Sequence, residues 1–319
     1  MSSSTSKSKS GRPTDGLTVE AADAPMSRGS RRPLTLRQRV LLTVAAGLAA
    51  ALMVAGALYS ATGGGAAVDI TTSAPYVGGD LHSLAVVGDR LYIAGHAAAA
   101  VSTDGGRGWA SLDTLQGADA MGWAQTSSGL LAGGHPGLYR STDGGGSFAR
   151  LTGPDAIPDV HALGAVGATA YLATPQAGLR VSTDGGRTWL PRNPTAGRSF
   201  MGALLVDPDD PQRVVAPDMR TGLVESRDGG LSWTSIGGPQ GVTAATWNPV
   251  NRQQIFAVGP TGSAMTRDGG RTWSVLAAPD NASTATMSPD GRTLYVAALD
   301  GENAITFAST DDGLTWTRT

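Results

Sequence analysis

The chain has 319 residues, which is enough for one large domain or two ordinary ones. Its 24 basic and 26 acidic residues nearly cancel, so no nucleic-acid partner is expected, because binding to nucleic acid needs clustered Lys and Arg. Cysteine is absent, which excludes disulfides, a thiolate nucleophile, a Cys-x-x-Cys metal site and a lipid-modified cysteine.

The N-terminal part of the chain predicts a membrane anchor. Residues 1–39 are rich in Ser, Thr, Pro and Gly with a basic cluster, which indicates a disordered cytoplasmic tail. Residues 40–59, VLLTVAAGLAAALMVAGALY, are uncharged, and at about 1.5 Å per residue they span roughly 30 Å, the thickness of a bilayer core. We predict one transmembrane signal-anchor helix here, followed by a linker over residues 60–79.

The arginines before this segment orient it. By the positive-inside rule they place the N-terminus in the cytoplasm and everything after residue 59 outside the cell membrane. A cleaved signal peptide is the alternative, because Ala55-Gly56-Ala57 has the small-x-small form of a cleavage site, and the rest of the chain would then be secreted. Both interpretations predict that residues 60–319 are exported.

An eight-residue motif, which we call the turn motif, recurs six times in the exported part. Its copies are STDGGRGW (102–109), STDGGGSF (141–148), STDGGRTW (182–189), SRDGGLSW (226–233), TRDGGRTW (266–273) and STDDGLTW (309–316). Successive copies start 39, 41, 44, 40 and 43 residues apart. A fixed period of about 40 residues is typical of architectures in which each repeat forms one supersecondary unit.

Each repeat also contains short apolar or alternating runs separated by Gly, Pro and Asp, such as HALGAV, TAYLAT and GLRVS before the third motif. Together with the run that starts at the motif's aromatic residue, they predict four antiparallel strands. The 45 glycines and 18 prolines agree with many tight turns. Four-stranded sheets repeated radially make a β-propeller. We therefore predict an all-β fold, a six-bladed propeller of four-stranded antiparallel blades over residues 80–319.

The turn motif itself is predicted to be structural. Its Asp can accept hydrogen bonds from backbone N–H groups, its glycines allow positive φ, and its aromatic residue can insert between blades as an apolar wedge. A residue needed six times is scaffold, whereas a catalytic residue is needed once. The motif aspartates are Asp104, Asp143, Asp184, Asp228, Asp268 and Asp311. The motif aromatics are Trp109, Phe148, Trp189, Trp233, Trp273 and Trp316.

These six units resemble the Asp-box, or BNR, repeat of sialidases, sortilin-type receptor domains and photosystem assembly factors. The resemblance implies a membrane-anchored, bacterial-type member whose motif lies on the turn between the third and fourth strands, away from any active site. It does not imply one activity, because unrelated functions share the architecture.

Sialidase activity is not favoured by the residues. Sialidases carry a (F/Y)RIP sequence, and the nearest match in this chain is Tyr139-Arg140-Ser141. A Tyr–Glu pair is also required, yet the chain has only the glutamates Glu20, Glu225 and Glu302. Hydrolysis of another glycoside by channel-facing aspartates remains an alternative, and an assembly factor for a membrane protein complex is a second one.

The starts of the innermost strands predict a ring of side chains at one mouth of the central channel. Aligned between blades, they give His82, Met121, His161 and Met201, followed by Val242 and Ala282. Two positions earlier stand the carboxylates Asp80, Asp119, Asp159 and Asp280. His96 and His135 follow the second strands of the first two blades, which end at the same face.

This set of side chains suits several ligands. Imidazole with thioether favours copper and imidazole with carboxylate favours zinc, so His82 and His161 are predicted metal ligands. A polar pocket for a protein, peptide or glycan, or a ring that only closes the channel, are the alternatives. We expect an exported, membrane-tethered binding module, whose segment Val68–Thr72 closes the ring by adding a strand to the last blade.

Overall fold

The computed structural model describes residues 72–319, so the predicted tail, anchor helix and most of the linker lie outside the described residues. Within residues 72–319 no helix has both the length and the apolarity needed to cross a bilayer. Strands β1–β25 and one short 3₁₀-helix, Asp113–Leu115, make up the regular structure of this part.

The strands form six consecutive antiparallel sheets, one for each repeat. Blade 1 has β1 (Leu81–Val87), β2 (Arg90–Gly95), β3 (Ala99–Ser102) and β4 (Ala110–Ser111). Blade 2 has β5 (Asp119–Thr126), β6 (Gly129–His135), β7 (Leu138–Ser141) and β8 (Ala149–Arg150). Blade 3 has β9 (Ala162–Val166), β10 (Thr169–Thr174), β11 (Gly178–Ser182) and β12 (Leu190–Asn193).

The second half of the chain repeats the arrangement. Blade 4 has β13 (Gly202–Ala203), β14 (Leu205–Val206), β15 (Val214–Asp218), β16 (Gly222–Ser226) and β17 (Thr234–Gly237). Blade 5 has β18 (Ala244–Asn248), β19 (Asn251–Gly259), β20 (Gly262–Thr266) and β21 (Ser274–Leu276). Blade 6 has β22 (Ala282–Met287), β23 (Leu294–Asp300), β24 (Asn303–Ser309) and β25 (Thr317–Arg318). The prediction of a six-bladed propeller with four-stranded antiparallel blades is therefore confirmed.

Blade 4 departs from the pattern at its innermost strand. That strand is split, because β13 pairs in parallel with β9 of blade 3 whereas β14 pairs antiparallel with β15 of its own blade. At the split, Gly202 has a φ of +67°, which only glycine adopts at little cost. The backbone ladder thus continues directly from blade 3 to blade 4.

Six hydrophobic clusters form the core, one between each pair of adjacent blades. Each cluster contains the aromatic residue of a different turn motif. Trp109, with a fully buried side chain, lies between blades 6 and 1, and Phe148 lies between blades 1 and 2. The indole N–H of Trp273 donates to the carbonyl of Ile236 in the preceding blade at 2.8 Å. The structure thus places these rings where a wedge between blades would lie.

The third copy of the turn motif shows how the sequence forms the turn. Ser182 donates its hydroxyl to Asp184 Oδ1 at 2.7 Å, and the same hydroxyl accepts the N–H of Gly186. Asp184 accepts the Thr188 hydroxyl at 2.6 Å and the N–H groups of Thr188 and Arg187. These hydrogen bonds, led by that of Thr188, hold the pKa of the Asp184 carboxyl well below its usual range. The turn therefore depends on an ionised aspartate.

The same turn chemistry predicts acid sensitivity of the fold. Hydrogen bonds from Ser232, Thr272 and Thr315 lower the pKa of Asp228, Asp268 and Asp311 to about 2. A carboxyl whose pKa is depressed in the folded state adds stability above its unfolded-state pKa of about 3.9, and this is lost as pH falls through the folded value. We expect the Tm to fall steeply from about pH 4 to pH 2.

Asp184→Ala tests the turn directly. Because it removes all hydrogen bonds to the Asp184 carboxylate, and leaves those to the Ser182 hydroxyl, it should lower the Tm at neutral pH by roughly 2–4 °C. Circular dichroism melts of the variant, with Asp155→Ala as the control at an exposed aspartate outside the motif, measure this. Equal Tm values for wild type and Asp184→Ala would contradict the structural role.

Residues 72–78 close the ring by linking the first and last blades. Thr72 pairs with Trp109 of blade 1, and Tyr76 pairs with Asn303 of blade 6. The Trp109 N–H donates to the Thr72 carbonyl at 2.8 Å, and the Val77 N–H donates to the Glu302 carbonyl at 2.9 Å. The Val77 side chain is fully buried in the cluster between blades 6 and 1.

Of the predicted closing segment Val68–Thr72 only Thr72 is described, and it pairs with Trp109 of blade 1. The rest of that segment lies outside the described residues. The outermost strand of blade 6 is β25, from the C-terminus. We name residues 72–78 the clasp.

Deletion of residues 72–76 should destabilise the propeller. It removes two inter-segment backbone hydrogen bonds, those of the Thr72 and Pro75 carbonyls, each contributing about 1 kcal/mol. The expected drop in Tm is roughly 4–8 °C. A deletion of residues 60–64, which shortens the chain by the same length, is the control, and a clasp deletion that melts like this control would show that the ring closes without it.

Candidate functional site

The first strands of the blades begin, and the second strands end, at one face of the propeller. Asp119 at the start of β5 pairs with His135 at the end of β6, and Leu81 of β1 pairs with Gly95 of β2. We call this the histidine face, because it carries all four histidines of the chain, His82, His96, His135 and His161.

Strand pairing gives the true register of the ring at this mouth. Backbone bonds identify the equivalent residues, because the N–H groups of His161, Met201 and Thr243 donate to the equivalent second-strand carbonyls of Ala173, Pro217 and Val258. In chain order the ring is His82, Met121, His161, Met201, Thr243 and Ser283. Met201 thus holds the predicted position, whereas the predicted Val242 and Ala282 are one residue out of register. Asp280 is displaced in the same way, since Asn281 occupies the position equivalent to Asp80. The carboxylate set is thus confined to blades 1 to 3.

The physical reason is one additional residue within the split innermost strand of blade 4. Gly164, the partner of Tyr171, comes three positions after His161, whereas Leu205, the partner of the equivalent Val215, comes four positions after Met201. The stretch SFMGALLV is apolar and small at consecutive positions, so no alternation fixes its register. Met201 is partly buried and Asp280 is an exposed turn residue.

His82 and Met121 both occupy β-bulges. Pairing moves from Leu81–Gly95 to Ser83–Ala94 in blade 1 and from Ala120–Gly134 to Gly122–Gly133 in blade 2, so the residue between is left unpaired. A bulge bends the strand and re-aims a side chain. The bulge in blade 1 accompanies a contact of His82 with Asp119 of the neighbouring blade.

Two glycines allow the strands to approach closely beneath this face. A Cβ atom at Gly95 would lie 1.9 Å from the Asp80 carbonyl oxygen, and one at Gly134 would lie 1.5 Å from the Asp119 carbonyl oxygen. Only glycine fits such contacts. His96 and His135 follow these glycines directly. The sequences IAGH and AGGH thus hold the first-strand carboxylates and the second-strand histidines at one edge.

Asp119 lies between two imidazoles. His82 Nε2 is 2.8 Å from Asp119 Oδ1, and His96 Nδ1 is 3.6 Å from Asp119 Oδ2. The side chains of His82 and Asp119 are only 13% and 12% exposed, whereas that of His96 is 70% exposed. Asp80, also largely exposed, lies 3.6 Å from His82 Nε2. We call His82, His96 and Asp119 the His–His–Asp cluster.

His82 and Asp119 form a short contact at 2.8 Å, although the two atoms are not well aligned for a hydrogen bond. Burial of the ring disfavours its protonation, but the Asp119 carboxylate, with Asp80 further away, outweighs this and raises the pKa of His82 above its ordinary value. Even so, His82 Nε2 and Asp119 Oδ1 are both buried and neither has an aligned hydrogen-bond partner. A buried ring nitrogen and a buried carboxylate oxygen therefore face each other across neighbouring blades.

The remaining predicted site residues lie apart from this cluster. His161 Nε2 contacts Asp159 Oδ1 of its own blade at 3.1 Å, and Gln176 donates to the other oxygen of Asp159. Among residues 72–319, the His–His–Asp cluster is the group of three or more histidines and acids whose ligand atoms lie within 4.8 Å of one another. His161 lies outside this group, so the structure does not bring the predicted metal pair His82 and His161 together. Met121 is buried at its bulge, and His135 is exposed.

The central channel is narrow at the histidine face and wide at the opposite face. Beside His82, Met121 and Gly202 it leaves a space of about 20 Å³. At the opposite end, beside Gln125 and Trp247, it opens to about 350 Å³. The side chains that line both parts within the described residues include no carboxylate.

No protein-family model matches the sequence, and no significantly similar curated protein was found. Similar solved structures exist. A structure of YCF48 bound to a D1 peptide is 17% identical, with a TM-score of 0.50, and the match covers 77% of this chain and 84% of that one. YCF48 from Cyanidioschyzon merolae is 16% identical over 78% of this chain and 87% of that one, with a TM-score of 0.49.

Two GH74 enzymes are also similar in fold. An ancestral GH74 enzyme is 17% identical over 80% of this chain, with a TM-score of 0.46, and the enzyme of Niastella koreensis is 16% identical over 74%, with a TM-score of 0.48. This chain spans only 33% and 46% of their lengths. At such identities the likeness establishes the propeller fold alone.

Gly134→Ala should disturb the histidine face. The new methyl would overlap the Asp119 carbonyl and force the start of β5 to move, at an overpacking cost of about 3 kcal/mol. We expect the Tm to fall by roughly 6–12 °C. Gly146→Ala in the same blade is the matched control, because a methyl there would meet only Asp143 side-chain atoms at 3.5 Å or beyond. If both variants melt alike, the close approach at Gly134 does not hold the face together.

Proposed function

We propose that this chain is an exported, membrane-tethered propeller that binds a protein or peptide on its histidine face. One observation carries the proposal. The chemically varied side chains surround a mouth where the space beside His82 is only about 20 Å³, so we infer that a ligand lies across the face instead of entering the channel. Small-molecule sites, in contrast, are typically concave and enclosed, at about 300–1,000 Å³.

The exposed residues of the face suit a polypeptide ligand. Asp80 and His96 present charge and hydrogen-bonding groups to solvent, and Met219, on the turn after β15, is an exposed apolar side chain on the same face. Met and aromatic side chains are enriched in protein interfaces. The similar YCF48 structure has a D1 peptide bound, and a peptide is accordingly the ligand class to test first.

A glycoside hydrolase is less well supported by the geometry. Such enzymes use two carboxyl groups that flank the scissile bond, one of them kept protonated by a raised pKa. The described channel lining contains no carboxylate. Where the pKa of an aspartate is shifted, as at Asp143 or Asp207, it is lowered. An assembly factor for a membrane protein complex would be one specific form of the binding function proposed above.

Peptide selection tests the proposal. The full chain in lipid nanodiscs is panned against a random peptide library with a chelator present, and enriched peptides are titrated against variants. His161→Ala, on the face but outside the His–His–Asp cluster, should weaken binding at least about tenfold, or about 1.4 kcal/mol.

The control for peptide binding is Val275→Ser, at an exposed position on the outer strand β21. This variant should bind the selected peptides as wild type does. A library that yields no binder, or binders indifferent to His161→Ala, would overturn the proposal. Turnover of aryl glycosides that disappears in Asp119→Asn would establish the hydrolase instead.

A further inference from the structure

We propose that His82, His96 and Asp119 form a binding site for a divalent transition-metal ion of the zinc or copper(II) type. The inference is independent of the proposed peptide binding. Two observations support it. The three side chains, from two neighbouring blades, lie close together. Two of their buried atoms, His82 Nε2 and Asp119 Oδ1, lack an aligned hydrogen-bond partner.

The spacing of the donor atoms fits such an ion. One atom from each residue lies within 4.8 Å of the other two. Zinc is bound by His nitrogen and carboxylate oxygen at about 2.0–2.2 Å, so tetrahedral ligands sit roughly 3.3–3.6 Å apart. The separations of 2.8 Å for His82 to Asp119 and 3.6 Å for His96 to Asp119 bracket this range. Small side-chain rotations would close the site, and the exposed His96 has room to make them.

Unpartnered buried atoms supply the second observation. His82 Nε2 and Asp119 Oδ1 are inaccessible to solvent and lack an aligned hydrogen bond, although they face each other. Buried polar atoms normally have a partner. After the small rotations described above, a cation bound by the ring nitrogen and the carboxylate oxygen would give both atoms a partner at once.

No permanent cation competes for Asp119. Within the described residues, the carboxylate contacts only the two imidazoles. Asp207, the other buried aspartate, is instead held by the guanidinium groups of Arg213 and Arg252 at 3.0 and 2.9 Å. The exposed Asp80 near His82 adds negative charge beside the cluster. The local field therefore favours a bound cation.

The scaffold holds the three ligands in place. His82 sits in a bulge, Asp119 is the first residue of β5, and the His96 N–H donates to the Asp80 carbonyl at 3.2 Å. His82 and Asp119 are buried, and His96 faces solvent. A fourth coordination position would therefore be open to water or a further donor. Two imidazoles with one carboxylate form a donor set for borderline ions, whereas Mg²⁺ and Ca²⁺ prefer all-oxygen sites.

Calorimetry on the full chain tests the site. The protein is purified in detergent without a polyhistidine tag, stripped with a chelator and titrated with zinc chloride, copper sulfate or magnesium chloride in separate runs. We expect one equivalent of zinc or copper and none of magnesium. Copper should bind more tightly than zinc, in line with the general order of divalent affinities.

Two histidine variants give a matched comparison. His96→Ala removes an exposed ligand and should weaken zinc binding roughly 100-fold, while His135→Ala removes the equivalent exposed histidine of blade 2 and should leave it unchanged. Both positions are at the surface, and Tm values without metal check that the variants fold. Zinc should raise the Tm of wild type and of His135→Ala but not that of His96→Ala, because only a folded state with the site binds the ion.

Cobalt substitution reports the coordination. Co²⁺ in a site with tetrahedral nitrogen and oxygen ligands gives strong visible absorption bands, and these should be present in wild type and absent in His96→Ala. Zinc binding that is absent in wild type, or that both variants retain or lose equally, would overturn the proposal. Since the titrations contain no peptide and the peptide selection contains a chelator, failure of one proposal is distinguishable from failure of the other.

Discussion

The hydrogen bonds that the motif aspartate accepts from its own turn are the interaction on which the rest of the propeller depends. In blades 2 to 6 the carboxylate accepts the hydroxyl and the N–H of the residue four positions later, as Asp184 does with Thr188, and in blade 1 Asp104 accepts the N–H of Gly108. This fixes the direction in which the next aromatic side chain leaves the turn. That ring enters the cluster shared with the preceding blade, so a local hydrogen-bonded turn determines a long-range contact. An inter-blade core without these rings would lose its largest buried apolar surfaces.

Because the turn motif carries the structural role, the side chains of the histidine face can differ from blade to blade. The turn motif follows the end of the third strand, whereas the histidine face is formed by the starts of the first strands and the ends of the second strands. Because the strands are antiparallel, the turn motif and the histidine face lie at opposite ends of each blade. Residues there need only permit close backbone approach, which Gly95 and Gly134 provide. Blades 1 to 3 use the freedom for histidine and aspartate, and the sixfold symmetry is broken there chemically while the backbone remains nearly repeated.

The sequence was sufficient for the parts of the fold that repeat. Six turn motifs at regular spacing predict blade number, strand count and the place of each aromatic, because every copy imposes the same local physics. What does not repeat was harder. The split innermost strand of blade 4 contains one additional residue in a stretch without alternation, so the predicted ring register was one residue out in blades 5 and 6. His96 was placed on the correct face, but its approach to Asp119 depends on how neighbouring blades pack, which no local pattern encodes. The pairing of the clasp could not be predicted from the repeat pattern either, since its two bridges join residues far apart in the chain.

Asp119 and Asp207 are the two buried aspartates of residues 72–319, and they are stabilised in different ways. A buried carboxylate is costly unless it is paired. Asp207 is paired with two arginines, which are always charged, and Arg213 in turn binds Glu225, so this network is a permanent structural element between blades 4 and 5. Asp119 has only imidazoles, whose charge depends on a proton or on a bound ion. A propeller that needed only stability at this position would be served by arginine, as at Asp207. Histidine partners instead make the charge balance at the mouth conditional on what is bound there, and this is the property expected of a ligand site.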